Sequence, residues 1–382
     1  MVKIDPRRRR FLELTGGAGA VGVTGLAGCL GGQDDGSDDE GNQSDGSDDE
    51  GTESGSDGGD DSAGDIGMVY ATGGLGDNSF NDMAHTGVQG AEDEFGISFR
   101  NAEPESQSDV ANLQRRFARS SDPDYDLICC IGYVQADALA ENAQEFSDQN
   151  FTVVDEVVEE SNVESYTFRE HEGSFQVGHM AGLLTEMDFS AGAGETTDDA
   201  VVGFVGGEES PLIEKFEAGY TAGVKHANED IEVRSAYAGS FNDSAQGQEI
   251  ALSMFDEGAD VIFHAAGGTG NGVFKVAQEE GRFAVGVDAD QSESLPEYDD
   301  VILASMVKRV DEAVYRSVEN VVNGEFEGGQ LNELGLEQDG VEVVYGQGLE
   351  DDIPEEVTST LEDSHDAIVD GDIEVPTDPD EV

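Results

Sequence analysis

Ile66-Gly67-Met68-Val69-Tyr70-Ala71 runs into Gly73-Gly74-Leu75-Gly76-Asp77-Asn78-Ser79-Phe80-Asn81-Asp82, and a segment of helical character follows. An apolar run, glycines that allow a tight turn, and an Asn or Asp that caps what comes next describe a strand feeding a helix. The texture returns along the chain. Leu127–Ile131, Phe151–Asp155, Ala200–Val205, Ile231–Ala238, Val261–Ala266, Phe283–Asp288 and Val301–Val307 are strand-like. Between them apolar residues recur at helical spacing, as at Val310, Val314, Val318 and Val321. Strands alternating with helices predict an α/β fold whose parallel sheets are covered on both faces. About 300 residues is too many for one doubly wound sheet around a single core, so two lobes are expected.

Ligands of such sheets bind beyond the carboxyl ends of the strands. The third run ends in Asp155 and the fourth in Gly206-Gly207. The fifth ends Ala238-Gly239-Ser240-Phe241-Asn242-Asp243, an echo of the first motif. The sixth ends Gly267-Gly268-Thr269-Gly270-Asn271-Gly272, the seventh Val287-Asp288-Ala289-Asp290-Gln291, and the last runs into Ser305-Met306-Val307-Lys308. An aromatic, Phe80 or Phe241, between Asn and Asp suits a flat heterocycle with polar edges. For the polar residues of the first motif, a simple capped turn is the plainer alternative. A carboxylate such as Asp288 has two acceptor oxygens to match vicinal ribose hydroxyls. Lys308 either answers Asp288 or a ligand oxygen, or snorkels from the end of its strand.

The glycines at 267–272 also invite a dinucleotide-enzyme reading. They lack the GxGxxG spacing, and no Walker Lys-Ser/Thr follows. There is no GxSxG elbow either, and among 86 acidic residues no catalytic pair can be singled out. No catalysis is expected. The six histidines show no ligand spacing, so neither metal nor cofactor is expected. Cys129 and Cys130 are adjacent in a strand-like run, point to opposite faces and should be buried without bonding each other.

The net charge is −68, which repels nucleic acid and anionic lipid. Lys3, Lys215, Lys225, Lys275 and Lys308 are the five lysines. Scarce lysine among abundant Asp and Glu points to a halophile's solvated surface, because in molar salt the Debye length falls to about 3 Å and self-repulsion is screened.

At the start, Arg7 to Arg10, Phe11-Leu12, a small apolar stretch and Leu26-Ala27-Gly28-Cys29 have the layout of an export signal. The arginines resemble the twin-arginine type, which carries folded proteins, and the end resembles a lipobox with Cys29 as the lipidated residue. The apolar stretch is too short and too rich in Gly and Ala for a membrane span of roughly 20 residues. Cleavage before Cys29 leaves 13 cations against 84 acids, a net charge of −71. Residues 29–65 are Gly, Ser, Asp and Glu with almost nothing apolar, and read as a disordered acidic tether.

With these residues the chain resembles the basic membrane protein family of substrate-binding lipoproteins, which includes purine nucleoside receptors. Gly76-Asp77-Asn78-Ser79-Phe80-Asn81-Asp82, Val285-Gly286-Val287-Asp288-Ala289-Asp290-Gln291 and Ser305-Met306-Val307-Lys308 carry the resemblance, which spans roughly Ile66 to Ile373. It implies a type I periplasmic-binding-protein fold: two doubly wound lobes joined by three crossings, with a ligand cleft between them. The crossings would fall near Phe168–His171, Ala304–Val307 and the approach to Val341. One lobe would hold 66–170 with 306–335, the other 171–305 with 336–373, leaving 374–382 as an acidic tail.

The resemblance also implies a nucleoside with its ribose on Asp288 and Lys308 and its base edge at Asp77, Asn81 and Asp155. The base faces would lie between Phe241 and an aromatic of the first helix, whose aligned position is His85, an imidazole of smaller area with a protonatable edge. Ser79, Phe80, Gly267 and Gly268 complete the candidate set. The implied role is a monomeric receptor, anchored through Cys29 to the outer face of the cytoplasmic membrane. It would deliver a nucleoside to ABC permease and ATPase subunits by hinge closure. A sugar or another small polar ligand, or a sensor without transport, is the alternative.

Overall fold

The structure is a computed structural model that describes residues 62–382, so the export signal, Cys29 and nearly all of the tether lie outside the described residues. In chain order it has β1 (Asp65–Val69), α1 (Phe80–Phe95), β2 (Ser98–Ala102), α2 (Val110–Ala118), β3 (Leu127–Ile131), α3 (Ala136–Glu145), β4 (Phe151–Val154), β5 (Val163–Phe168) and α4 (Glu170–Thr185). A small hairpin of β6 (Ser190–Ala191) and β7 (Gly194–Glu195) precedes β8 (Val201–Gly206), α5 (Pro211–Ala227), β9 (Glu232–Tyr237), α6 (Ser244–Asp256), β10 (Val261–Ala265) and α7 (Asn271–Glu280). Then come β11 (Phe283–Asp288), α8 (Gln291–Ser294), β12 (Ile302–Lys308), α9 (Val310–Asn323), β13 (Leu331–Leu334), β14 (Val341–Tyr345) and α10 (Glu355–Val369).

Two six-stranded sheets result. The first has the order β13-β5-β4-β3-β1-β2, all parallel. The second has the order β14-β12-β11-β10-β8-β9, parallel except for β14. The central strands are buried on both faces. Cys129 and Cys130 of β3 are unbonded and sit in separate hydrophobic clusters on opposite sides of the sheet. The chain passes between sheets three times, at 168–170, 308–310 and 334–341. The crossings are tied together, since Arg169 N–H donates to the Leu334 carbonyl and Arg309 N–H to that of Gly340, both at 2.9 Å.

Several sequence boundaries need correction. Strand β12 pairs with β11 and β14 up to Lys308, so residues 306–308 belong to the second sheet and the chain crosses after them. The tether ends earlier than residue 65, because Ala63 already bonds Gly96 and Asp65 opens β1. The segment 374–382 is no free tail: Val375 is buried, and the short 3₁₀ turn 379–381 packs against α5. Strands β2, β5, β13 and β14 are absent from the apolar runs. SFRNA and LNEL are half-exposed edge strands, and β5 carries a buried Glu164 that breaks its apolar pattern.

Helix α4 has almost every residue buried, because it leaves the first crossing and threads between α5, α10 and the second sheet. Glycines make that possible. A methyl on Gly178 would lie 2.1 Å from the Tyr220 carbonyl oxygen, and one on Gly223 would lie 2.0 Å from that of Phe175. The two backbones are in contact, so an added methyl has no free space to enter. Gly223→Ala should cost about 1–3 kcal/mol by overpacking. In molar salt the urea midpoint should fall with its slope unchanged; an unaltered midpoint would mean that the helices part freely.

Candidate functional site

The turn between β1 and α1 is organised by acids. Asp77 accepts from Ser79 N, Asn81 N, Asn81 Nδ2 and Asp82 N at 2.9–3.2 Å. Asp82 accepts from Gly76 N and Asn78 N. A carboxylate offers about four acceptor sites, so the Asp77 oxygens are occupied in capping α1. Burial raises the Asp77 pKa against the pull of these N–H groups. Asn81 is likewise engaged, its Oδ1 accepting from Ala71 N at 2.9 Å.

Beyond this turn a cleft lies between the lobes. Asp77, Phe80, Asn81, Asp155, Phe241, Gly267, Asp288 and Lys308 all line it. Each lobe contributes one phenyl ring resting on a strand-end glycine. A methyl on Gly132 would be 3.5 Å from Phe80, and one on Gly207 would be 2.3 Å from Phe241. Ser79 is fully buried and spends its hydroxyl proton on Asp288. Gly268 lies beside the backbone of Asp77, where a methyl would be 3.8 Å from its Cα.

His85 is elsewhere. Its Nδ1 is 2.8 Å from the Tyr70 hydroxyl and its ring meets Phe99 edge-on, so it packs on the flank of the first sheet rather than in the cleft. The first-helix aromatic at the cleft is Phe80.

Lys308 is almost completely buried, which excludes the snorkelling alternative. Its Nζ lies 2.6 Å from Asp155 and 3.3 Å from Glu170. The rings of Phe80 and Phe168, each 5.1 Å away, and Phe216, 5.7 Å away, surround the ammonium. Glu170 is shared with Lys215 at 3.6 Å. Burial opposes the Lys308 charge, but Asp155, Glu170 and Asp288 raise its pKa overall. Its close partner is Asp155, and the group bonded to Asp288 is Ser79.

Asp155 and Asp288 both adopt left-handed backbone, with φ of +73° and +65°. Burial pushes the Asp288 carboxyl up to about 7; the nearby Lys308 charge and the Ser79 bond lower it, while Asp155 and Asp77 raise it.

Several cleft residues escaped the sequence reading. Tyr133 follows the end of β3, so asking what ends the second run would have found it. Leu212, Ile213 and Phe216 enter from the first two turns of α5 and look like ordinary helix residues. Glu170, which holds Lys308 without lining the cleft, was one acid among many. Among the described residues, no group of three or more His, Cys, Asp or Glu could hold a metal ion, and no helix is long and apolar enough to cross a membrane.

Two α/β lobes, three crossings and a polar-aromatic cleft define a type I periplasmic-binding-protein fold. A solute-binding protein from Aeropyrum pernix K1 superposes with a TM-score of 0.71 at 27% identity, covering 83% of this chain and 94% of that one. Residues 65–379 match the Bmp family, described as "ABC transporter substrate-binding protein PnrA-like". The chain belongs to that family, whose members bind solutes for transport rather than transform them. It is 37% identical to the CD4+ T-cell-stimulating antigen of Listeria monocytogenes, over 82% of this chain and 88% of that protein. It is 32% identical to the ABC transporter nucleoside-binding protein BmpA of Lactococcus lactis, over 81% and 88%.

A carboxyl raised to about 7 in the fold binds a proton that the unfolded chain has lost, since an unfolded Asp titrates near 3.9. Its contribution to stability is complete below about 3.9 and disappears as the pH rises through 7. Asp288→Asn should therefore fall off less than the parent between pH 4 and 7. Chemical denaturation across that range in molar salt checks this, and parallel curves would contradict a raised Asp288.

Proposed function

We propose that the cleft binds a nucleoside, with its base between Phe80 and Phe241 and its ribose hydroxyls at Asp288. The observation that carries this is the pair of phenyl rings, one from each lobe, lining a single cavity that also contains buried carboxylates. A flat base offers two faces to such rings, and a ribose diol offers two donors to a carboxylate. The Lactococcus relative named as nucleoside-binding supports the same ligand class. Closure follows from a ligand that touches both lobes and therefore prefers the closed state. The lining sets three acids, Asp77, Asp155 and Asp288, against the one ammonium of Lys308, which Asp155 already pairs. No spare cation of that lining meets a phosphate, so a phosphorylated ligand is disfavoured.

The remaining proposals rest on the N-terminal sequence. Cys29 is the lipid anchor on the outer face of the cytoplasmic membrane, and residues 30–61 are the leash that lets a monomeric receptor reach an ABC permease. The acidic surface suits a salty medium.

Calorimetry of the purified protein in molar salt, against nucleosides, a nucleoside 5′-monophosphate and simple sugars, tests the ligand. Purine nucleosides should bind and the monophosphate should not. Heat from a sugar and none from any nucleoside would overturn the assignment. Phe241→Ala should weaken binding about 10- to 100-fold, the worth of roughly 1–3 kcal/mol for one base–aromatic stack.

A further inference from the structure

Gln291 is fully buried, opens α8 directly beyond the end of β11, and does not line the cleft. Its side-chain oxygen accepts from Val287 N at 2.8 Å and from His264 Nε2 at 2.9 Å. Its main-chain N–H is bound to Ser305 Oγ at 3.0 Å. With the oxygen held by two donors, the amide can present only its NH₂ group elsewhere. That group reaches from the second lobe to the first, beside the cleft, and donates to the Asn78 carbonyl at 3.0 Å.

The acceptor is equally fixed. Asn78 has left-handed backbone, φ +55°, and its N–H is tied to Asp82 at 2.8 Å. His264 is buried on β10, and burial pushes it down to about 4, so the neutral ring supplies the Nε2 proton to Gln291. A methyl on Gly270 would lie 2.0 Å from that ring, so the imidazole has no room to turn. Next to this contact, Ser79 of the first lobe bonds Asp288 of the second.

We propose that Gln291, oriented by His264, is a positioning residue that latches the lobes shut. It sets ligand affinity and release without touching the ligand. The inference rests on the reading that the cleft traps its ligand by closure. A bond made only in the closed state multiplies the closed population by its own equilibrium factor. Breaking it raises the dissociation rate, while the encounter with the open cleft is unchanged.

The test uses the full-length protein with a dye pair at exposed Gln89 and Glu249, one on each lobe, read by single-molecule energy transfer. Gln291→Glu keeps the shape and both accepted bonds but turns a second oxygen toward the Asn78 carbonyl. The ligand-free closed population should fall roughly tenfold, the order expected for one hydrogen bond replaced by repulsion. Adenosine, the probe ligand, should dissociate faster by a similar factor with its association rate nearly constant. His264→Phe should move both readouts the same way by less. If Gln291→Glu does not fold, Gln291→Met removes the donor alone and must show the same split. Unchanged distances together with unchanged dissociation would overturn the latch. A shifted ligand-free distance with no adenosine binding would instead uphold the latch and refute the nucleoside.

Discussion

One buried ammonium, that of Lys308, connects the parts of this molecule that must act together. It ends β12 in the second sheet, pairs with Asp155 at the end of β4 in the first, and touches Glu170 where the chain first crosses. An unpaired charge so deeply buried costs several kcal/mol, so lysine and acids hold one another in place. Removing either partner is therefore more damaging than never having had the pair. In a chain with five lysines, two of them converge on Glu170. These two lysines are placed where the lobes approach.

Around that centre the carboxylates sit in backbone that resists them. Asp155 and Asp288 take left-handed dihedrals, a strain of about 1–3 kcal/mol for a non-glycine residue. Such dihedrals persist only where neighbours over-determine them. Asp155 N–H is bound to the Tyr166 carbonyl, and the Asp288 side chain to Ser79. The turn gives each acid an aim into the cleft that a regular strand end would not.

The alternation of apolar runs and helices made the two-sheet architecture legible, because buried parallel strands read as continuous hydrophobic stretches. The strand-end rule led to Phe80, Phe241, Asp155, Asp288 and Lys308 for the same topological reason. What stayed hidden was hidden by physics that one-dimensional pattern does not carry. β5 looks polar because Glu164 is buried in a cage of Tyr166, Asn320 and Asn332. His85 lies five residues past Phe80, nearly one and a half helical turns, so the two leave α1 in different directions. For Asp77 the sequence left ligand contact and a capped turn side by side, and its four bonds decide for the cap. Gln291 bridges to Asn78 over 213 positions of sequence, which no local spacing announces.

The three crossings mean that neither lobe is a continuous piece of chain. The first sheet lacks its edge strand until residue 331 is made, and α1 lacks its neighbour α9, whose Asp311 carbonyl would lie 2.3 Å from a methyl on Gly87. During synthesis, then, the β5 edge and the flank of α1 stay open while strands β8 to β12 of the second lobe are being added. An open strand edge is a template for pairing with another chain. The dense negative charge that surrounds this fold opposes such encounters between nascent copies, and so protects the protein before it has a cleft to offer.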